Sequence, residues 1–363
     1  MQSIGQSKWS ERTVGSIRPS FRSAFCVALF ALGVALCTAG CTTPGGTTAA
    51  TPTAVDSAAA LPSWRDGPAK QTIQKFVADV TREGSPNYVP PAQRIAVFDN
   101  DGTLWSEQPL YFQFAFMLDQ VKAAAPKHPE WKNNPAFKAL VAKDYGALAS
   151  HEKQLLQLVA VANSGMTVDD YDRTIRDWLA SARHPKFNRP YTELVYQPQL
   201  ELLAYLRNNG FKTFIVSGGT IEFMRPWAEK AYGIPPEQVI GSSQVVQYQM
   251  RDGQPVLVRQ PKLDFVDDGP GKPVGIYRNI GRKPILAFGN SDGDLQMLQY
   301  TASGSGPHLA LLVHHDDAVR EFAYDRASKI GKLDKAWDEA IADGWTVVSM
   351  KDDWQTIYPA PKQ

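Results

Sequence analysis

The sequence predicts an α/β fold: a three-layer, doubly wound parallel sheet with one inserted, all-helical block. Three observations carry this. Short, largely apolar runs at 95–98, 211–216 and 284–288 each end abruptly in a polar, glycine-rich turn. Segments with apolar residues at three- and four-residue spacing alternate with those runs, the pattern of a parallel sheet covered by helices on both faces. Between the first and second runs, residues 109–182 show helical spacing only.

The chain has 363 residues and 43% hydrophobic content, enough for one large domain or two smaller ones. A formal net charge of +1 leaves no electrostatic footprint for nucleic acid or a strongly acidic partner. The cysteines are Cys26, Cys37 and Cys41, so nothing downstream forms a disulfide or a thiolate zinc site. Lys8, Arg12, Arg18 and Arg22 precede an uncharged run at 25–39. That run is short for a membrane span and suits the core of a signal peptide. It ends in Thr38-Ala39-Gly40-Cys41, which resembles a bacterial lipobox, although leucine is usual where Thr38 stands. A simple cleaved secretory signal is the alternative, and either one exports the protein. With Thr42 and not Asp after the cysteine, the expectation is a lipid anchor at Cys41 on the periplasmic side of the outer membrane. That anchor is the only membrane contact expected.

Residues 1–41 are therefore assigned to a lipoprotein-type signal and 42–63 to a flexible tether of Thr, Ala, Gly, Pro and Ser. Residues 64–107 and 190–363 form the α/β core, and 108–189 the helical cap. A helix at 69–83 precedes the first strand. Cap helices are expected at 109–125, 135–148, 152–162 and 168–182, the last with Thr167 as N-cap and Asp170 three residues on. Helix 197–209 ends at Gly210, and helix 221–231 follows the second strand. Asp252-Gly253 between 245–249 and 255–259 is a hairpin signal. Pro270 opens a short helix ending near Gly281, helix 295–300 follows the third strand, and 309–313 and 344–350 complete the sheet.

Asp99 and Asp101 close the first strand, at the edge where open α/β sheets bind ligands. Two acids one residue apart suit a nucleophile with an acid/base, a hard-metal site, or both; an Asx-rich turn closing the strand is the lesser alternative. Ser217 to Thr220 and Gly289 to Asp294 close the other two strands at the same edge, and Lys272 adds an ammonium. This set fits phosphoryl transfer through a covalent aspartyl-phosphate.

The order Asp99-Asn100-Asp101-Gly102-Thr103, Ser217, Lys272, then Gly289-Asn290-Ser291-Asp292-Gly293-Asp294 resembles the four motifs of the haloacid dehalogenase superfamily. The helical block is similar to its C1-type cap, and the hairpin to its phosphoserine-phosphatase-like branch. The resemblance implies a magnesium-dependent phosphatase acting on small phosphomonoesters. Asp99 would be the nucleophile and Asp101 the general acid/base, with its carbonyl on the metal. Lys272 would neutralise the transferring group, with Thr103, Ser217 and Gly218 on the substrate. Asp99, Asp101, Asn290 and Asp294 would hold Mg2+. The fourth motif departs from the family pattern: Asn290 stands where an acid is usual, and Asp292 is a candidate to compensate. Asp101 argues for phosphorus chemistry, since family dehalogenases lack this acid.

Glu107 is a candidate for substrate selection. His314-His315-Asp316-Asp317 admits a metal site but reads as a polar strand-to-helix turn with Asp as N-cap. Arg173, Arg176 and Arg183 are weighed for a substrate carboxylate, and Lys122, Lys127, Lys132, Lys138 and Lys143 as cap lysines of the phosphonate-cleaving type; surface charge is the simpler account of all eight. Pyrophosphatase or phosphotransferase activity, and non-catalytic binding of a phosphorylated ligand, are the rival functions.

Overall fold

Residues 95–98 are all buried and form the central strand of an eight-stranded sheet. The computed structural model describes residues 61–144, 147 and 150–361. The signal, the lipobox-like stretch and most of the tether lie outside them. Among the described residues no helix is long and apolar enough to cross a membrane. Packing is under way by Leu61 and Ser63, both buried.

The strands are β1 (Ile95–Phe98), β2 (Lys212–Thr220), β3 (Val239–Arg251), β4 (Gln254–Phe265), β5 (Leu286–Gly289), β6 (Leu309–Asp316), β7 (Ala323–Tyr324) and β8 (Thr346–Ser349). Their order is β4-β3-β2-β1-β5-β6-β7, with β8 also on β6. The expected parallel, doubly wound core is present from β3 to β6 and β8. The sheet is mixed at its margins, because β4 and β7 run antiparallel.

Side chains alternate across this sheet as its pleat requires. Ala96, Phe98, Ile215, Leu286, Phe288, Leu311 and Val313 face one core. Val97, Phe214, Val216, Ala287, Ala310 and Leu312 face the other. The first is covered by α1 (Pro68–Thr81), α6 (Gln197–Asn208) and α7 (Ile221–Tyr232), the second by α8 (Gly271–Ile280), α9 (Leu295–Ala302) and α10 (Lys335–Asp343). A last short helix, α11 (Met350–Asp353), follows β8.

Between β1 and β2 lie α2 (Phe112–Ala124), α3 (Pro135–Ala142), α4 (Glu152–Ala162) and α5 (Val168–Ser181). Thr167 caps α5, accepting from the amide of Asp170. Leu118, Val121, Trp131, Ala136, Leu140, Leu155 and Leu158 give this insertion a core of its own. An aromatic seam joins it to the main core: Trp105 stacks on Trp227 at 4.2 Å and meets Phe112 at 4.6 Å, and Phe116 meets Phe223 at 5.6 Å. The Arg259 amide donates to the Met166 carbonyl and stitches the insertion to β4.

The hairpin is larger than its sequence signal. β3 begins as a parallel partner of β2 and only then turns antiparallel to β4. Asp252 and Gly253, both at positive φ, make the two-residue turn. Neither β7 nor α10 was expected. The two ends of the described chain are clasped: Trp64 packs edge-on against Trp354 at 5.9 Å, Arg65 donates to the carbonyl of Asp353, and Gln355 donates to that of Ser63.

Phe98 is fully buried in β1. Phe98→Ala lowers stability by about 3–5 kcal/mol through lost contacts and the cavity left behind, measured as a reduced urea midpoint.

Candidate active site

The turn after β1 is built around one carbonyl. The amides of Thr103 and Leu104 donate to Asn100 O, and Gly102 N donates to Trp105 O. Gly102 sits at φ +74°, and a Cβ there would collide with the Asn290 amide and the Glu107 carboxylate, so only glycine fits. Behind it, His315 Nε2 lies 2.8 Å from the Gly102 carbonyl. β6 extends through Asp316, so both histidines lie in the strand and no helix follows directly. Asp317 instead accepts from the amides of Val319 and Arg320. Among the described residues no three His, Cys, Asp or Glu side chains form a ready metal cage.

Asp99, Asp101, Ser217, Gly218, Lys272 and Asp294 line one cavity of about 350 Å³. The Lys272 ammonium is buried and donates to Asp99 Oδ1 at 2.6 Å, Asp294 Oδ1 at 2.7 Å and the Val216 carbonyl at 2.8 Å. Three donors meet three acceptors, so no proton of this group is left unsatisfied. Burial alone would lower its pKa, but Asp294 and Asp99 outweigh that and hold it above the ordinary lysine value. Asp294 Oδ2 accepts from the amides of Asn290 and Ser291, which fixes the fourth motif as a tight turn. Ser217 Oγ accepts from Gly219 N at 3.1 Å, leaving its hydroxyl hydrogen to donate. Thr220 caps α7, so the end of β2 delivers amides and a helix N-terminus to the cavity, a favourable setting for phosphate oxygens.

Asp101 accepts from the Trp105 indole at 2.7 Å. Burial pushes its carboxyl up to about 6, against that hydrogen bond. Burial and the neighbouring Asp294 push Asp99 up, against the pull of Lys272. Glu107 also lines the cavity, and burial pushes it well above the ordinary glutamate range.

Three expected site residues are not on the cavity wall. Thr103 is buried and donates to Asn290 Oδ1 at 3.0 Å. Asn290 lies behind the wall, with its amide nitrogen donating to Glu107 Oε1 at 2.8 Å. Asp292, expected as a candidate metal donor, lies off the wall: its Oδ1 accepts from the amides of Asp334 and Ala336 and anchors the start of α10. The five cap lysines are exposed, as are Arg173, Arg176 and Arg183; Arg173 pairs with Asp170 and Arg176 with Asp172. None of the eight lines the cavity. Residues that sequence reasoning missed are Trp105, which holds Asp101; Asp268, Tyr111, Gln113, Phe114 and Met117, which line the cavity; and Tyr324, which donates to Glu107 at 2.8 Å. The only cue to the α2 group was its place directly after the first motif.

With this geometry in hand, comparison with protein families finds haloacid dehalogenase-like hydrolases matching residues 96–299. The chain belongs to that family. A comparison with curated protein sequences finds no match. Among solved structures, the chain is similar to a protein of unknown function from Bordetella pertussis Tohama I, with 15% identity, TM-score 0.44 and coverage of 70% of this chain and 98% of that one. A functionally unknown protein from Anaerococcus prevotii DSM 20548 matches at 17% identity, TM-score 0.45 and coverage of 68% and 86%. A phosphoserine phosphohydrolase-like protein from Francisella tularensis matches at 17% identity, TM-score 0.32 and coverage of 61% and 87%.

The family implies a divalent cation, and among the described residues the cavity offers hard oxygen donors for one without a ready-made cage. Asp99, Asp101, Glu107, Asp268 and Asp294 line the cavity against a single ammonium, that of Lys272. Hard oxygen donors with excess negative charge suit magnesium. The same excess sets a pH dependence. Folded Asp101 binds its proton more tightly than the unfolded chain does, so its stabilising contribution is present below the unfolded value of 3.8 and is lost as pH rises through about 6. Asp99 and Glu107 act in the same direction. In chelator, the thermal midpoint should therefore fall between about pH 5 and 7; a midpoint that climbs across that window contradicts this charge balance.

Proposed function

We propose that this family member is a magnesium-dependent phosphatase of small phosphomonoesters, acting through an aspartyl-phosphate on Asp99. The observation that carries it is the ion-pair node: Lys272 holds Asp99 Oδ1 and Asp294 Oδ1 in one cavity with Asp101 and Ser217. Lys272 leaves the other oxygen of Asp99 to attack phosphorus. As the Asp99–phosphorus bond forms, the ester phosphorus–oxygen bond breaks and the leaving alkoxide takes the proton of Asp101. Asp101, now a carboxylate, removes a proton from water. That water attacks the phosphoryl group and releases inorganic phosphate and Asp99. A raised Asp101, near 6, suits both halves of this exchange. Ser217, the amide of Gly218 and Lys272 offset charge on the phosphoryl oxygens. Asp99, Asp294 and the backbone carbonyl of Asp101 would hold magnesium, which when bound neutralises the phosphoryl oxygens and orients them.

The leaving-group side is walled by Tyr111, Gln113, Phe114 and Met117 from α2 and the loop before it, and by Val266. The helical insertion therefore selects the ester, and a cavity of about 350 Å³ suits a small one. The lipobox-like ending at Cys41 supports an activity on the exported side of the envelope.

A phosphate-release assay on a panel of phosphomonoesters with magnesium tests the activity. Asp99→Asn should abolish turnover. Asp101→Asn should lower turnover of alkyl phosphates by about 100-fold or more, and of aryl phosphates with good leaving groups far less. Loss of both to the same extent removes Asp101 from the acid role. Cys41→Ser should shift the protein from the membrane to the soluble fraction; unchanged partitioning removes the anchor.

A further inference from the structure

The family's fourth motif has lost a charge here, since Asn290 stands in an acid position. Asp292 is not on the cavity wall that Asp99 and Asp294 share, and its Oδ1 anchors α10. The carbonyl oxygen of Asn290 is engaged by Thr103. What Asn290 holds is Glu107. Its amide nitrogen and the hydroxyl of Tyr324 both donate to Glu107 Oε1 at 2.8 Å, and neither uses Oε2, on a side chain that lines the cavity. The backbone makes room for the hydrogen-bonded Oε1 at two places: a Cβ on Gly102 or on Gly331 would collide with it.

Hydrogen bonding alone does not explain an acid at this position. A glutamine would accept the same two hydrogen bonds without repelling Asp99, Asp101 and Asp294. A carboxylate buried beside three others with only neutral partners is unfavourable. In the metal-free protein protonation of Glu107 removes that penalty; a bound cation removes it with the carboxylate charged.

We propose that Glu107 supplies the negative charge that Asn290 lacks, so that the divalent cation at Asp99 and Asp294 is retained by an acid from the loop after β1. The charge has moved from one strand end to its neighbour, and Asn290 has become the group that positions it. This rests on the magnesium dependence proposed above.

Calorimetric titration of the full-length protein with magnesium chloride tests it. Glu107→Gln should weaken magnesium binding by about 10- to 100-fold, and adding Asn290→Asp to that variant should restore most of the affinity. Asn290→Asp alone sets two carboxylates at hydrogen-bond distance. In chelator it should melt below the wild type, and magnesium should raise its midpoint by more than it raises the wild type's. Equal magnesium affinity of the wild type and Glu107→Gln overturns the proposal and leaves magnesium dependence standing. If the wild type itself takes up no magnesium, the metal part of the proposed function fails and this inference with it. Should Glu107→Gln not fold, Asn290→Asp decides: a magnesium-induced shift no larger than the wild type's overturns the proposal.

Discussion

The Lys272 ammonium donates at once to Asp99 after β1, to the Val216 carbonyl within β2, and to Asp294 in the turn after β5. These three segments end side by side because β2, β1 and β5 are parallel neighbours in the sheet. Each would leave polar groups buried without a partner if the ammonium were absent. A buried charge is tolerated only when it is paired and hydrogen-bonded; here one cation satisfies two anions and a carbonyl. The position of α8 follows, since it must bring Lys272 under the sheet edge, and the Asp294 turn follows in the same way. The node is structural and chemical together: the contact that holds the strand ends in place also orients the carboxylate placed to attack.

Around that node the site has two walls of different character. The sheet edge contributes amides, hydroxyls and carboxylates on short, hydrogen-bonded turns. The insertion contributes Tyr111, Gln113, Phe114 and Met117. The aromatic seam of Trp105, Phe112, Phe116, Phe223 and Trp227 fixes one wall against the other. Trp105 belongs to both, because its ring packs in the seam while its indole nitrogen donates to Asp101. A change in how the insertion packs would therefore be felt at the acid/base residue.

Much of this was legible in the sequence. The runs at 95–98, 211–216 and 284–288 stood out because both of their faces are buried, which removes polar alternation. Asp99, Asp101 and Ser217 stood out because glycine-rich strand ends mark the ligand edge, and Lys272 stood out through its place in the family's motif order. What the sequence hid were contacts between distant residues. Asn290 and Asp292 were candidate metal donors through the family's fourth motif, yet their partners, Thr103, Glu107 and the start of α10, lie far away in the chain. Tyr324 reaches Glu107 across 217 positions, and no local pattern reports that. α10 was missed although Ala336 and Ala340, its buried residues, carry the i, i+4 spacing; small alanines give a faint apolar stripe. β3 was read too short because its first half pairs in parallel and only its second half belongs to the hairpin.

The clasp between Trp64 and Trp354 joins the earliest described segment to one of the latest, and the indole of Trp64 also donates to the carbonyl of Pro198. A chain delivered N-terminus first, as in synthesis or secretion, exposes Leu61 and Trp64 long before their partners exist. The seam is then a contact of very high sequence separation, whose closure entropy is met only at the end. Until then a tryptophan-bearing apolar face stays open to chaperones and to other copies of the chain. Because the two ends meet, the fold is also a natural subject for circular permutation: linking 361 to 61 would turn this late closure into a local one.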